Sequence, residues 1–175
     1  MSRERLLQLF DRMEGERQVL LKKLDALPPE RLAQRPAHGA WSVAQVMTHL
    51  AIAEEGSLAY LNKKREFNKH GPVGLSASLR LLLLNTGIQL PVKYKVPLVI
   101  ADVPATSYAV ARARWDVVRI RMRSTYEELP EALAGHDLFK HPFMGRFNLV
   151  QGVGFMRRHM RRHVAQIDRT LAALG

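Results

Sequence analysis

The chain has 175 residues, 47% of them hydrophobic and 25% charged, the balance of an ordinary water-soluble globular protein. It contains no cysteine, which excludes structural disulfides, thiolate-ligated zinc and a protein thiol nucleophile. The formal net charge of +11 is uneven: residues 1–61 balance, residues 62–95 carry seven Lys/Arg against Glu66, and residues 149–175 carry five Arg against Asp168. Such a surface suits an acidic partner, whether an anionic small molecule, a nucleic acid or an anionic membrane surface.

The N-terminal stretch MSRERLLQLFDRMEGER is charged and amphipathic, without the apolar core of a signal peptide. The greasiest stretch, residues 79–90, is broken by Arg80, Asn85, Thr86 and Gly87 and is too short to span a bilayer. No membrane segment and a cytoplasmic location are therefore expected. At this length the whole chain, 1–175, reads as one domain.

Taken in chain order, the first helix is predicted over residues 3–26, where Leu6, Leu9, Phe10, Met13, Leu20 and Leu24 recur at helical spacing. Pro28 and Pro29 close it. The second starts at Trp41-Ser42. Ser42 and Gln45 form an S-x-x-Q capping box, and Trp41 can staple onto Val46. Apolar positions then continue to about Arg65. Ser76 is expected to cap a short helix through Asn85. Residues 88–105, with Pro91, Pro97 and Pro104, read as a long extended loop. A third long helix is predicted from Ser107 to Leu129, with Val110, Trp115, Val118 and Met122 inward. A loop over residues 134–147 leads to the fourth, which begins at Asn148. There Asn148 and Gln151 repeat the capping box. Gly152 and Gly154 fall in its first turns, each costing about 1 kcal/mol relative to Ala, which suggests close approach by a helix or a ligand. The architecture expected is all-α, a four-helix bundle with a long loop between the second and third long helices.

Seven histidines punctuate this plan. His159 and His163 are i and i+4, stacked on one helix face, the spacing by which one helix offers two imidazoles to a metal ion. That face also holds Met156 and Ile167, so the pair points into the bundle. Two imidazoles buried among aliphatic side chains need partners. His49, on the edge of the apolar stripe of the second helix, is the candidate third. Gln45, Glu54 and Gln166 are possible partners for the outer ring nitrogens. His38 and His70 lie in turns, and His136 and His141 flank the 134–147 loop. His141 is the better placed to line a pocket.

The stretch WSVAQVMTHL resembles the W-S-x-x-Q-x-x-x-H-L signature of the DinB-like superfamily, with its YfiT-type and bacillithiol-transferase-like members. HMRRHVAQI at 159–167 resembles that family's closing H-x-x-x-H-x-x-Q-I. KYKVPLVIADVPATSYAVARARW and HPFMGRFNL resemble its middle region and its turn before the last helix. The likeness spans most of residues 41–172 in order. It implies a four-helix bundle of DinB/YfiT type whose metal ligands are His49, His159 and His163.

Three neutral imidazoles leave positions open on Zn²⁺ or Ni²⁺, the pattern of catalytic sites. Characterised relatives include thiol-dependent S-transferases and a mycothiol-dependent isomerase. The resemblance thus implies a divalent-metal-dependent enzyme using a low-molecular-weight thiol and a small anionic substrate. Arg158, Arg162, Lys93 and Lys95 are candidates to pair with the thiol's carboxylates, and His141 to line its pocket. The alternatives are a metal-holding or interaction module without turnover and, supported by charge alone, a nucleic-acid-binding protein. No helix-turn-helix, RNP-type or zinc-finger pattern accompanies the charge. A homodimer through exposed helix faces is also compatible with the sequence.

Overall fold

The computed structural model describes residues 2–37, 39–74, 76–89 and 103–175, with the side chains of 84–89 left aside. The long helices are α1 (Arg3–Asp25), α3 (Val43–Glu66), α5 (Tyr108–Glu127) and α6 (Leu149–Ala173). Between them lie the short helix α2 (Pro29–Ala33), helix α4 (Ser76–Gln89), a 3-10 turn (Glu131–Gly135) and a hairpin of β1 (Phe139–His141) and β2 (Gly145–Phe147). The fold is therefore all-α, with that hairpin as the one sheet among the described residues.

Each long helix starts on a side-chain cap. Ser2, Ser42, Ser107 and Asn148 accept hydrogen bonds from the backbone N–H groups of Arg5, Gln45, Val110 and Gln151. Both expected capping boxes are complete, with the Gln45 and Gln151 side chains accepting from the backbone N–H groups of Ser42 and Asn148. Gln45 does more. Its Oε1 also accepts from Arg35 Nε at 3.0 Å, and its Nε2 donates to the Val103 carbonyl at 2.7 Å. One residue thus starts α3 and anchors the segment that enters α5.

The helices close a ring: α3 packs most extensively on α5, α6 bridges α1 and α3, and α1 returns to α5. Their apolar faces meet in one core around Trp115, Met13, Met47, Leu50, Leu61 and Met122. Burying each such side chain contributes about 1.5–3 kcal/mol, which outweighs the weak intrinsic preference of any single turn.

Several expectations need correction. Helix α4 runs to Gln89 rather than stopping at Asn85. Val110, expected inward, is exposed; Ala111 and Tyr108 occupy the buried positions of that turn. The 134–147 segment is not a plain loop. It folds into the 3-10 turn and the antiparallel hairpin, paired Phe139 with Phe147 and His141 with Gly145. The hairpin explains Gly152: a Cβ there would lie 2.4 Å from the Phe139 ring, so only glycine lets β1 press onto α6. Gly154 has no such neighbour. The expected long extended loop lies largely outside the described residues, as do His38, Lys93 and Lys95.

Candidate metal centre

The capping box of α3 sets the depth at which His49 stands, two turns in, and α6 crosses it with His159 and His163 one turn apart. The three rings meet at steep angles, His159 edge-on to both of the others. His159 Nε2 lies 3.4 Å from His49 Nε2 and 3.1 Å from His163 Nε2. One nitrogen from each ring falls within 4.8 Å of the other two. Among the described residues this is the one group of three His, Asp or Glu side chains close enough to share an ion. Ligands at about 2.0–2.1 Å around a tetrahedral ion stand roughly 3.3–3.4 Å apart, so the spacing fits a small divalent metal.

The protonation pattern points the same way. Gln166 Oε1 lies 2.8 Å from His163 Nδ1. A carbonyl oxygen only accepts, so Nδ1 carries the hydrogen and Nε2 presents its lone pair inward. A single hydrogen on His159 Nε2 can satisfy one neighbouring nitrogen well, not both. A cation satisfies all three.

Burial pushes the His163 pKa down to about 3, helped by the neighbouring His49 and Arg162 and opposed by the Gln166 hydrogen bond. His159 is lowered too, by burial first and then by His163, His49, His141 and Arg162. Both rings are therefore neutral at pH 7, the form that ligates metal.

Aromatic rings hold the cluster. The Trp41 ring packs on His49 at 5.1 Å between centroids, and Phe155 stacks nearly parallel on His159 at 5.8 Å. Beyond Phe155 stands His141 of the hairpin, edge-on at 4.8 Å. Its Nδ1 accepts from the backbone N–H groups of Phe143 and Met144, at 3.3 and 3.2 Å. That leaves the hydrogen on Nε2. Burial lowers His141 to about 4.

Of the other named residues, Arg162 lies near enough for its charge to act on both α6 imidazoles. Arg158 lines a different groove, shared with α1 and α4. His136 is drawn away from the cluster: its Nδ1 sits 2.8 Å from His70 Nδ1. Glu54 does not serve a histidine. It is 2% exposed and bound by Arg119 and by Trp115 Nε1. Of the three partners considered for the imidazoles, Gln166 is the one seated on a ring. The aromatic clamp went unread in the sequence, although Phe155 stands one turn before His159 on the same face, a signal that could have found it.

No described helix is long and apolar enough to cross a membrane. No curated protein and no solved structure matches the chain. A family model does: that of the DinB superfamily, over residues 2–167. With this match covering nearly all of its length, the chain belongs to the DinB superfamily.

Proposed function

We propose that His49, His159 and His163 hold a divalent ion, Zn²⁺ or Ni²⁺, and that the protein is a metal-dependent transferase acting with a small thiol cosubstrate. The observation that carries this reading is the convergence of three imidazoles through Nε2, one with its outer nitrogen fixed by Gln166. Three nitrogen donors leave coordination positions open. When bound, the ion supplies Lewis acidity, lowering the pKa of a thiol or water placed against it.

The chain's own residues do the rest. Trp41 and Phe155 wall the cluster, packing on the His49 and His159 rings. Arg162 sets a positive charge beside the imidazoles, suited to the carboxylate of a thiol cosubstrate. His141, neutral, offers Nε2–H from the hairpin to a ligand on the Phe155 side. Arg158, considered for the same cosubstrate, lines another groove and is not assigned to it.

A second reading is a metal-holding module without turnover. One observation favours it: the nearest buried carboxylate on α3, Glu54, is fully engaged by Arg119 and Trp115, so it cannot act as a base.

Elemental analysis of untagged protein, beside His49→Ala and His163→Ala, tests the shared premise. Near-stoichiometric zinc or nickel, absent from both variants, is expected. A wild type that neither carries nor takes up metal sinks both readings. Thiol-dependent loss of an electrophile, abolished with the metal, then separates transferase from module.

A further inference from the structure

On another face of α6, a groove of about 520 Å³ runs between α1, α4 and the first half of α6. Its rim is cationic. Arg5, Arg12 and Arg158 line it, and among the described residues none of the three is ion-paired. Arg157 and Arg161 line it as well and share Glu16. Burial alone would raise Glu16, but the hydrogen bonds from Arg161 and Arg157 bring it to about 2, so this acid is committed to them. Among the described residues no carboxylate lines the groove. Glu4, near its mouth, accepts from the lining Gln8.

The floor is different. Leu9, Leu81 and Val150 form it together with Gly154. A Cβ at Gly154 would meet Leu9 and Arg158 only at 3.7 and 3.8 Å, ordinary contact distances. Nothing in the packing therefore demands glycine there, although glycine inside a helix costs about 1 kcal/mol relative to alanine. The missing side chain leaves room beside Leu9, where the Arg158 guanidinium folds back to donate from Nη1 to the Gly154 carbonyl at 3.4 Å.

We infer that this groove binds a small molecule carrying a phosphate group on an apolar substituent. Three unpaired guanidinium groups offer more donors and charge than one carboxylate can use, whereas a phosphate brings up to two charges and three terminal oxygens. The apolar floor receives the substituent. The volume suits a metabolite-sized ligand. This inference is independent of the metal centre.

Calorimetric titration with octyl phosphate tests it, with inorganic phosphate as the comparison. Octyl phosphate is expected to bind at least about tenfold more tightly than inorganic phosphate, because the chain buries methylene groups on the floor. Arg12→Gln and Arg158→Gln, both exposed and safe for folding, should each weaken it about tenfold. Gly154→Leu, which fills the floor while favouring helix, should abolish the preference for octyl phosphate over phosphate. His49→Ala should leave binding unchanged. The inference is overturned if octyl phosphate does not bind, if binding ignores Arg158→Gln and Gly154→Leu in variants that melt like wild type, or if His49→Ala removes it. Binding to phosphatidylglycerol vesicles but not to octyl phosphate overturns it too, in favour of a membrane surface.

Discussion

Two polar clusters sit inside this bundle, and they are built on opposite plans. Around Glu54, opposites meet: its carboxylate takes both Arg119 Nε and Nη2 at 2.7 Å and Trp115 Nε1 at 3.0 Å. Arg119 also reaches Glu14, which pairs with Arg17, which in turn binds Asp116. Every donor nitrogen there faces an acceptor, so the cluster is satisfied from within. Around His49, likes meet: three imidazole nitrogens converge with at most one hydrogen between them. A polar cluster that closes on itself is structure. One that gathers lone pairs around a shared point could hold a cation.

The comparison can be broken hardest at Glu54. Glu54→Ala leaves the buried Arg119 without its bidentate partner and should cost about 3–5 kcal/mol, lowering the melting temperature by roughly 10 °C. Metal content per folded chain should not change. His163→Ala should do the reverse. It is expected to weaken metal binding roughly hundredfold or more. The metal-free variant should melt closer to wild type than Glu54→Ala does. Differential scanning calorimetry and metal titration on both variants read the two axes. If Glu54→Ala empties the metal site of folded protein, the clusters are one unit and the contrast fails.

The two clusters also differ in how much of them can be read along the chain. Capping boxes are local, so Ser42 with Gln45 and Asn148 with Gln151 announce themselves over three residues. The His159–His163 pair is equally local. His49 is 110 residues from His159; its place on the edge of the apolar stripe of the second helix made it a candidate third, and the family resemblance implied it as a ligand. The Glu54–Arg119 pair, 65 residues apart, has no spacing to betray it, because its logic is created by the crossing of α3 and α5. Gly152 shows the limit from the other side. Its position predicted a close approach, but the neighbour, Phe139, belongs to a hairpin hidden in what looked like a loop. Val110 failed for a related reason. One apolar residue cannot say whether a helix turns it to the core or to solvent, and here Ala111 took the inner place.

Acid should separate the clusters along a pH axis. His163 stands near 3 in the folded chain, against an ordinary 6.5. His159 is lowered as well. The unfolded chain therefore binds these protons more readily than the folded one. The stability at stake is fully present above about pH 6.5 and is lost as pH falls from there toward 3. Glu14 behaves like any paired carboxylate. Burial alone would raise its pKa, but hydrogen bonds from Arg17 and Gln18, with the Arg17 and Arg119 charges, hold it below 4.5. Its contribution is lost only below that value. Metal-stripped protein should thus lose melting temperature between pH 7 and 5, and His163→Ala should flatten that fall. Bound metal should delay it, since protons and metal compete for the same nitrogens. A melting temperature that is level from pH 7 to 5 in the stripped wild type would remove the buried neutral imidazoles from the account.

The smallest effect expected comes from a pair of glutamines that look alike in sequence. Gln45 lies four residues before His49, and Gln166 three residues after His163. Gln45 is spent on Ser42, Arg35 and Val103. Gln166 accepts from His163 Nδ1. Gln166→Leu keeps the helix and the bulk but removes that acceptor, so the ring loses the contact that fixes its tautomer and orientation. Metal affinity should fall about tenfold, with little change in melting temperature. Gln45→Leu should instead cost about 1–2 kcal/mol through the lost cap and the lost Val103 anchor, and leave affinity in the folded fraction as it was. Competitive titration with a chromophoric chelator, run beside thermal melts, reads both variants. If the two glutamines exchange these roles, the second contact that orders the metal centre lies on α3 and not on α6.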